Sequence, residues 1–232
     1  MSTPVLLLLQ QISTQMAGMP FAGESTPSIY LIQEALFMSA LPETSLKQLF
    51  TAAHSEHQFN QTPVTDDLIQ QLYDLVKLGP TGFNAQPARY LFIRSREQKA
   101  KLAPHLASSN REKTLAAPLN LIVAYDTQFH HELTEQFPAY DARSFFEKSP
   151  DWITPTATLN AALQAGYLII AARALGLSVG PMSGFNAADV DTTFFADGKY
   201  KSFLLLNIGF IDVPTSQKRG PRLPFKKTVH II

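Results

Sequence analysis

Two segments in the first half of the chain repeat their apolar residues every three or four positions. The segment "SLKQLFTAA" starts at Ser45, and its spacing predicts a helix with Thr44 or Ser45 as N-cap. The segment "TDDLIQQLYDLVKLG" has the same period, begins with Thr65 as a capping residue followed by two aspartates, and stops at Gly79. We therefore expect two amphipathic helices, each with one buried face.

Four apolar runs predict strands. They are "ARYLFIRS" (88–95), "APLNLIVAYD" (117–126), the short "SVGPMSGF" (178–185), which runs into a turn, and "SFLLLNIGF" (202–210). The second and the last of these runs are apolar almost without interruption, which is typical of strands that are covered on both faces. We therefore expect the second run to be buried on both faces and the last run to be a buried strand.

The strongest helical pattern is "TPTATLNAALQAGYLIIAARALGLSVG". Apolar residues occupy nearly every face of it from Ala157 to Leu175. Gly166 and other small residues would allow a second helix to approach closely. We expect this helix to be central and mostly buried.

Shorter elements complete the pattern. The segment "REQKAKLAPHLA" (96–107) predicts an amphipathic helix interrupted at Pro104, "NAADVDTTFF" (186–195) predicts a short helix, and residues 127–153 read as a loop-rich insertion that carries the only Trp. Helices and strands alternate too irregularly for a doubly wound fold, and no strand is followed by G-x-G-x-x-G. The pattern predicts one α+β domain.

Residues 1–40 differ from the rest of the chain. The Leu run of "MSTPVLLLLQQ" is too short to cross a bilayer and has no basic residue before it, which argues against a transmembrane helix and a secretory signal. The stretch "MAGMPFAGESTPSIY" is rich in small residues and prolines and has no period. We expect residues 1–40 to be a poorly ordered extension, residues 41–232 to be the folded domain, and Met38 to be a candidate natural start.

Composition excludes several classes of function. The formal net charge is zero, so no long-range field attracts nucleic acid or an anionic membrane. The chain has no cysteine, which removes disulfides and thiolate metal sites and fits a reducing cytoplasm. The histidine pairs His54/His57 and His130/His131 lack metal-ligand spacing, and no G-x-S-x-G motif is present. Only 16% of residues are charged, which favours a surface partly covered by a partner.

Polar segments follow five of the apolar elements. They are "HSEH" (54–57), "GPTGFNAQP" (79–87), "SSNREK" (108–113), "GPMSGF" (180–185) and "KRGPRLP" (218–224). Each by itself could be an ordinary turn, because Asn, Gly and Pro are common turn residues. Together they offer amides, hydroxyls, one Lys and several Arg, which suits a large ligand with polar edges and a phosphate.

The order of these segments resembles the flavin-dependent nitroreductase family. The segments "GPTGFNAQPARYLFIR", "KTLAAPLNLIVAYD", "QAGYLIIAARALGLSVGPMSGF" and "LLLNIGF" are similar to the branch of the malonic semialdehyde reductase of the Rut pathway and its haloacid-linked relatives. The similarity runs from about Leu46 to the C-terminus and covers none of residues 1–40. It implies a central mixed, mostly antiparallel sheet flanked by helices, an FMN cofactor, NADH or NADPH as electron donor, and a homodimer with C-terminal arm exchange.

The resemblance implies contacts to the FMN phosphate. His54 and Ser55 lie where the family has an Arg and a hydroxyl residue, so His54 replaces the usual Arg. Arg222 matches a second phosphate Arg, with Lys218 or Arg219 as candidate helpers.

Other matched residues would contact the flavin ring. Pro80, Thr81, Asn84 and Gln86 match a stretch that lies against the flavin from the other protomer, and Gly82 departs from the usual hydroxyl there. Asn110 and Lys113 match a pair at the pyrimidine edge, where an ammonium stabilises reduced flavin. The turn formed by Pro181, Met182, Ser183 and Gly184 matches one whose backbone amide points at flavin N5.

The resemblance implies a ping-pong oxidoreductase without a catalytic acid or base side chain. For this branch the acceptor would be malonic semialdehyde, reduced to 3-hydroxypropionate, with Arg143 as a candidate for binding its carboxylate. Two alternatives stay open: a broad nitro or quinone reductase, favoured by the Phe-rich insertion, and a flavin-binding protein with little turnover, favoured by the missing Arg and hydroxyl.

Overall fold

An antiparallel sheet of four strands organises residues 40–216 and 218–232, which are the residues that the computed structural model describes. The strands are β1 (Ala88–Ile93), β2 (Leu119–Asp126), β3 (Ser178–Met182) and β4 (Tyr200–Gly209), in the order β1-β2-β4-β3. The predicted extension over residues 1–40, except its last residue, and the candidate start at Met38 lie outside the described range.

Helices surround the sheet in chain order. They are α1 (Glu43–Leu46), α2 (Asp66–Val76), α3 (Arg96–Leu102), α4 (Ser108–Ala116), α5 (Leu133–Gln136), α6 (Ala142–Lys148), α7 (Ile153–Ala174), α8 (Ala187–Phe194) and α9 (Phe225–Thr228). Short 3₁₀ turns lie at Gly82–Asn84, Ala103–His105, Phe129–Glu132 and Pro150–Trp152, and a π-helical turn at Lys47–Thr51. Within the described residues no helix is long and apolar enough to cross a membrane.

The sheet separates two apolar cores because successive side chains of a strand point to opposite faces. Leu121 and Val123 of β2 pack with α2 and α7 on one face, whereas Ile122 packs with Leu102 and Val190 on the other. The predicted covering of both faces is therefore confirmed. The mostly antiparallel sheet is confirmed as well, since parallel pairing among the described residues is confined to one bridge between Ser55 and Val179.

The ends of the first two helices test the capping predictions. Thr65 caps α2 as predicted, since its side chain accepts a hydrogen bond from Leu68 N at 3.2 Å. The prediction of Thr44 or Ser45 as the first N-cap is wrong, because the helix starts at Glu43. The carbonyl of Pro42 accepts from Ser45 N and Leu46 N, and the proline ring already has the φ that a helix start needs.

Two further predictions need correction. The insertion at 127–153 is not loop-rich: its short helices enclose a core of their own around Phe129, Leu133 and Phe146. The long helix α7 is central but not mostly buried. Its outer face exposes Leu159, Leu163 and Tyr167 by 64%, 47% and 46%. A Cβ added at Gly166 would have nothing within 4 Å, so no part of the described chain covers this face.

Candidate functional site

The turn after β3 is held against the first turn of α4. The carbonyl of Gly184 accepts hydrogen bonds from Ala107 N and from the side-chain amide of Asn110, both at 3.0 Å. A Cβ at position 184 would lie 2.7 Å from Asn110 Nδ2, so any larger residue would displace the Asn110 amide from its hydrogen bond. The structure thus brings together Asn110 and the turn at 181–184, which the sequence pattern had grouped only by resemblance.

Lys113 lies one turn after Asn110 on α4 and is half-buried. Its ammonium has no hydrogen bond or ion pair with any residue that the structure describes. The neighbouring Thr114 is buried, and its hydroxyl contacts the Met182 sulfur at 3.5 Å. An unpaired ammonium therefore lies on the helix that supports the glycine turn.

Residues 54–56 run along the outer edge of β3. Ser55 bridges Val179, and Glu56 N donates to the Val179 carbonyl at 3.0 Å. A Cβ at Gly180 would collide with the backbone carbonyl oxygen of Glu56, so this approach also requires glycine. His54 is half-buried and Ser55 is exposed. We call residues 54–56, 110–113 and 180–184 the β3 side of the site.

The basic residues of the C-terminal segment are placed differently from one another. Arg219 Nη2 donates to the carbonyls of Phe50, Thr51 and Ala53, the last at 2.6 Å, and so lies next to His54. Arg222 is exposed and folds back on its own loop, with Nη1 donating to the Gly220 carbonyl at 2.8 Å. Within one chain, the guanidinium beside His54 is therefore that of Arg219. No ion pair of Lys218 is found in the described part of the chain.

The polar residues of the loop at 80–87 are already hydrogen-bonded. Thr81 Oγ1 accepts from Gln86 N at 3.1 Å, and Gln86 Nε2 donates to Asn84 Oδ1 at 3.0 Å. Asn84 Nδ2 donates to the Gln136 carbonyl at 3.0 Å, and Gly82 N donates to Asn160 Oδ1 at 2.7 Å. Pro80 is exposed at its start. We call residues 80–87 the loop side of the site.

The backbone of the loop side is unusual. Phe83, Asn84 and Gln86 have φ of 55°, 49° and 41°, in the left-handed region that non-glycine residues rarely adopt. The cost is of order 1–3 kcal/mol for each such residue, so the surroundings must hold the loop in place.

Phe83 supplies much of that support, and the sequence analysis missed it. Its ring lies 5.7 Å from Phe137, 6.3 Å from Tyr140, 6.4 Å from Phe145 and 5.9 Å from Phe146, measured between ring centroids. Asn160 and Gln136, which bond the loop, were missed as well. The cluster of Phe in the insertion was the signal that could have pointed to Phe83. Arg143, the candidate for a substrate carboxylate, pairs with Glu147 at 2.7 Å.

The two sides lie at opposite edges of the sheet. The loop side leads into β1, whereas the β3 side flanks β3, and β2 and β4 lie between them. Three inter-strand spacings amount to roughly 14 Å. No hydrogen bond or ion pair between the two sides is found among residues 40–216 and 218–232. One chain alone therefore does not bring all the predicted site residues together.

Comparison with known proteins agrees with this architecture. Residues 51–210 match the sequence model of the Nitroreductase family. A Rhodopseudomonas palustris protein, provisionally named NADH dehydrogenase/NAD(P)H nitroreductase, is 49% identical over 194 residues, covering 84% of this chain and 99% of the relative. A Ralstonia nicotianae protein with the same provisional name is 45% identical over 195 residues, covering 84% and 100%.

Solved structures show the same fold. The provisional nitroreductase ydfN of Bacillus subtilis superposes with a TM-score of 0.73 at 24% identity, covering 82% of this chain and 99% of that one. A provisional nitroreductase of Exiguobacterium sibiricum, solved in complex with FMN, gives a TM-score of 0.72 at 22% identity, covering 81% and 97%.

Proposed function

The chain belongs to the nitroreductase family, and from this premise we propose that it is an FMN-dependent oxidoreductase that uses NADH or NADPH to reduce a small acceptor. The observation that carries the proposal is the arrangement of residues on the β3 side. There the glycine turn after β3 packs against the start of α4, and the same helix carries the half-buried ammonium of Lys113, which has no partner among the described residues. The names of its relatives and the FMN complex of a similar fold support the same cofactor and electron donor.

The residues of the β3 side fit FMN in their chemistry. Gly180 lets the backbone of β3 approach the Glu56 carbonyl and Gly184 lets the turn approach Asn110, so the two glycines fix the shape of the β3 side against which a flat ring would lie. Asn110 fixes the turn, and Lys113 supplies a positive charge beside it. His54, Ser55 and the basic C-terminal segment supply donors for a phosphate. When bound, FMN would supply hydride transfer through its ring nitrogen N5.

The chain's own residues would then position and polarise. Lys113 would stabilise the negative charge that two-electron reduction places on the ring, which raises its reduction potential. Three side chains of the β3 side carry a carboxyl or imidazole group: Glu56 is buried along β3, His54 is grouped with the phosphate donors, and Glu112 is exposed on α4. We assign none of them as a catalytic acid or base, so protons for the acceptor would come from solvent.

We propose a homodimer because the two sides of the site lie at opposite edges of one sheet. A second copy would bring its loop side to the β3 side of the first. The exposed apolar face of α7, with Leu159, Leu163 and Tyr167, offers a surface for that copy, and Gly166 leaves room for close approach. The C-terminal arm also exposes large apolar residues, namely Leu223, Phe225, Val229, Ile231 and Ile232, which would pack on the second copy.

For the acceptor we propose malonic semialdehyde, reduced to 3-hydroxypropionate. The resemblance of the sequence supports it, and the exposed Arg143 could bind the substrate carboxylate after its pair with Glu147 opens. A second candidate is a broad nitro or quinone reductase. The aromatic cluster around Phe83, itself 37% exposed, favours that function because flat acceptors stack well on aromatic rings.

Anaerobic stopped-flow experiments test these proposals. We expect the purified protein to be yellow, NADH or NADPH to bleach it, and an acceptor to restore the colour. If malonic semialdehyde re-oxidises the reduced protein faster than a nitroaromatic or a quinone does, malonic semialdehyde is supported as the acceptor. If the nitroaromatic or the quinone is faster, the broad nitro or quinone reductase is supported. Bound FMN that neither nicotinamide bleaches would indicate a binding protein with little turnover, and a protein that takes up no FMN would refute the cofactor.

Lys113→Met tests the tuning role without touching the fold. Loss of the ammonium should lower the reduction potential of bound FMN by roughly 30–60 mV, whereas Lys113→Arg should keep it close to the wild-type value. An unchanged potential in the Met variant would show that Lys113 is a surface residue without a role at the ring.

A further inference from the structure

Two amide side chains on α7 hold the loop side in its interior and at its end. Gly82 N donates to Asn160 Oδ1 at 2.7 Å, and Ala88 N, at the first residue of β1, donates to Gln164 Oε1 at 2.9 Å. Asn160 and Gln164 are both buried and lie four positions apart, so they project from the same face of α7. Because β1 is an edge strand of the described sheet, Gln164 takes the acceptor position that a further strand would otherwise supply.

A third residue on this face of α7 contacts the start of the same loop. Gly79, which immediately precedes the loop side, is buried, and a Cβ added there would lie 2.9 Å from Cγ of Tyr167. The backbone at Gly79 therefore lies directly against the Tyr167 ring, an approach that alanine would prevent. Tyr167 follows Gln164 by three positions, so the three contacts extend over seven positions of α7, a rise of roughly 10 Å.

Tyr167 also belongs to the outer face of α7. Its side chain is partly exposed there, together with Leu159 and Leu163. The same ring thus contacts the residue that precedes the loop side and the surface that we propose for the second copy. A change on the outer face of α7 can therefore reach the loop side through one side chain.

We propose that Gln164 and Tyr167 are positioning residues of the site. Together with Asn160 they tie the loop side to α7, so that a second copy docked on α7 also sets the shape of the loop that would contact the FMN of that copy. The inference rests on the proposed function. Neither residue needs to touch FMN in order to change how tightly it is bound.

The loop side needs such anchors because its backbone is unfavourable by itself. Phe83, Asn84 and Gln86 have left-handed φ although none of them is glycine. Loss of one anchor would leave the loop in other shapes for part of the time. The apparent affinity for a ligand then falls in proportion to the fraction of loops that keep the binding shape.

The first test removes the acceptor at position 164. In Gln164→Leu, which accepts no hydrogen bond from Ala88 N, we expect FMN to bind about 5- to 20-fold more weakly and the visible circular dichroism of bound FMN to change. Gln164→Glu keeps an acceptor oxygen at the same place along the side chain and should restore binding to within about threefold of the wild-type value. Gln71→Leu makes the same change at an exposed residue of α2 and should change neither quantity.

The second test acts on the contact between Gly79 and Tyr167. The φ of Gly79 lies outside the left-handed region, so Gly79→Ala changes the ring contact without straining the backbone. We expect it to weaken both FMN binding and dimerisation by about 3- to 10-fold, measured by flavin fluorescence and sedimentation velocity. In a Tyr167→Ala background the ring is gone, so the same change should then alter either quantity by less than about twofold.

The two tests separate positioning from a structural role. Equal weakening of FMN binding in Gln164→Leu and Gln164→Glu would overturn the proposal, because the acceptor would not be the feature that matters. A Gln164→Leu variant with a lower melting temperature but unchanged FMN affinity would also overturn it. Additive effects of Gly79→Ala and Tyr167→Ala, or unchanged dimerisation in Gly79→Ala, would show that Tyr167 does not connect the outer face of α7 with the loop.

A milder variant covers the case in which Gln164→Leu does not fold. Gln164→Asn has a shorter side chain that withdraws the amide from Ala88 N, and we expect FMN to bind about 3-fold more weakly to it. Unchanged binding in this variant would count against the proposal while leaving the FMN function intact. A wild-type protein that binds no FMN would refute the proposed function itself.

Discussion

The β3 side and the loop side differ in whether their polar side chains have hydrogen-bond partners within the described chain. On the β3 side, Lys113 has no partner in the described chain, and next to this side Nε of Arg173 is buried without one. On the loop side, Thr81, Asn84 and Gln86 are all hydrogen-bonded, and Phe83 is packed among aromatic rings. The β3 side leaves donors unpaired, as the proposed FMN site requires, whereas the loop side uses its polar groups to hold an unusual backbone.

In the proposed dimer, this difference would suit a site whose two sides lie at opposite edges of the sheet. A loop that must reach into another chain needs its shape before it arrives, because ordering it on contact would reduce affinity. The surface that receives cofactor and loop needs unpaired groups and close backbone approach instead. Four experiments test this difference between the two sides.

The largest effect is expected from Leu163→Glu on the exposed face of α7. A single chain tolerates the charge because Leu163 is 47% exposed. In the proposed dimer the charge would be buried, which should weaken association by at least about 100-fold and separate the two sides of the site. Sedimentation velocity and FMN titration measure both losses. Val213→Glu is the control, at a residue 79% exposed outside α7. A Leu163→Glu variant that stays dimeric would rule out this face as the interface.

A smaller loss is expected from Gly180→Ala on the β3 side. The new Cβ would collide with the Glu56 carbonyl, and Glu56 cannot move without loosening its bond to Val179. We expect the free energy of unfolding to fall by about 1–3 kcal/mol, measured by urea denaturation. Gly82→Ala on the loop side is the contrasting variant, because its nearest neighbour would be Asn160 at 3.6 Å. It should change stability by less than about 0.5 kcal/mol. Equal losses would mean that glycine is not specifically required on the β3 side.

Asn160→Leu tests how the loop side is held. The substitution leaves the Gly82 N–H without its buried acceptor, which should cost about 1–3 kcal/mol and expose residues 80–87 to proteases. Asn84→Ala removes an exposed hydrogen bond that water can replace, and it should cost less than about 1 kcal/mol. Limited proteolysis followed by mass spectrometry locates the cuts. If proteases do not cut residues 80–87 in Asn160→Leu, the packing of Phe83 would hold the loop in place without Asn160.

The smallest effect concerns pH and the insertion at 127–153, which packs against the loop side. Burial, with a contribution from His131, lowers the pKa of His130 below its ordinary value of 6.5. The unfolded chain therefore binds more protons as the pH falls through about 6.5, and stability decreases, by at most about 1.4 kcal/mol per pH unit. His130→Phe should flatten the dependence of urea midpoints between pH 7.5 and 5.5. His57→Asn, at an exposed histidine outside the insertion, should not flatten it. A slope unchanged in His130→Phe would assign the pH dependence to other groups.

Much of the fold could be predicted because its information is local. The cap at Thr65, the break after Leu102 and the buried strands all follow from spacing and turn chemistry within a few residues. The first N-cap was wrong because Pro42 starts the helix without any side-chain cap. The outer face of α7 was mistaken for core because an apolar stripe has the same pattern whether it faces the chain's own sheet or another chain.

The site was less accessible from sequence because its contacts are long-range. Asn160 lies 78 positions from Gly82, and nothing in the sequence around either residue indicates the bond between them. Arg173 was not singled out in the sequence, and only the fold brings its guanidinium to the carbonyl of Leu49, 124 positions away. The left-handed backbone at Phe83 has no local cause such as glycine, so it became visible only with the aromatic cluster that stabilises it.

The position of the two sides at opposite edges of the sheet has a thermodynamic consequence. If each cofactor contacts two chains, binding and assembly are linked equilibria, and each strengthens the other by the same factor. Dilution would then release FMN even without a change in any contact, and added FMN would hold the chains together at lower protein concentration. The dissociation constant of the cofactor would therefore depend on how much of the protein is present.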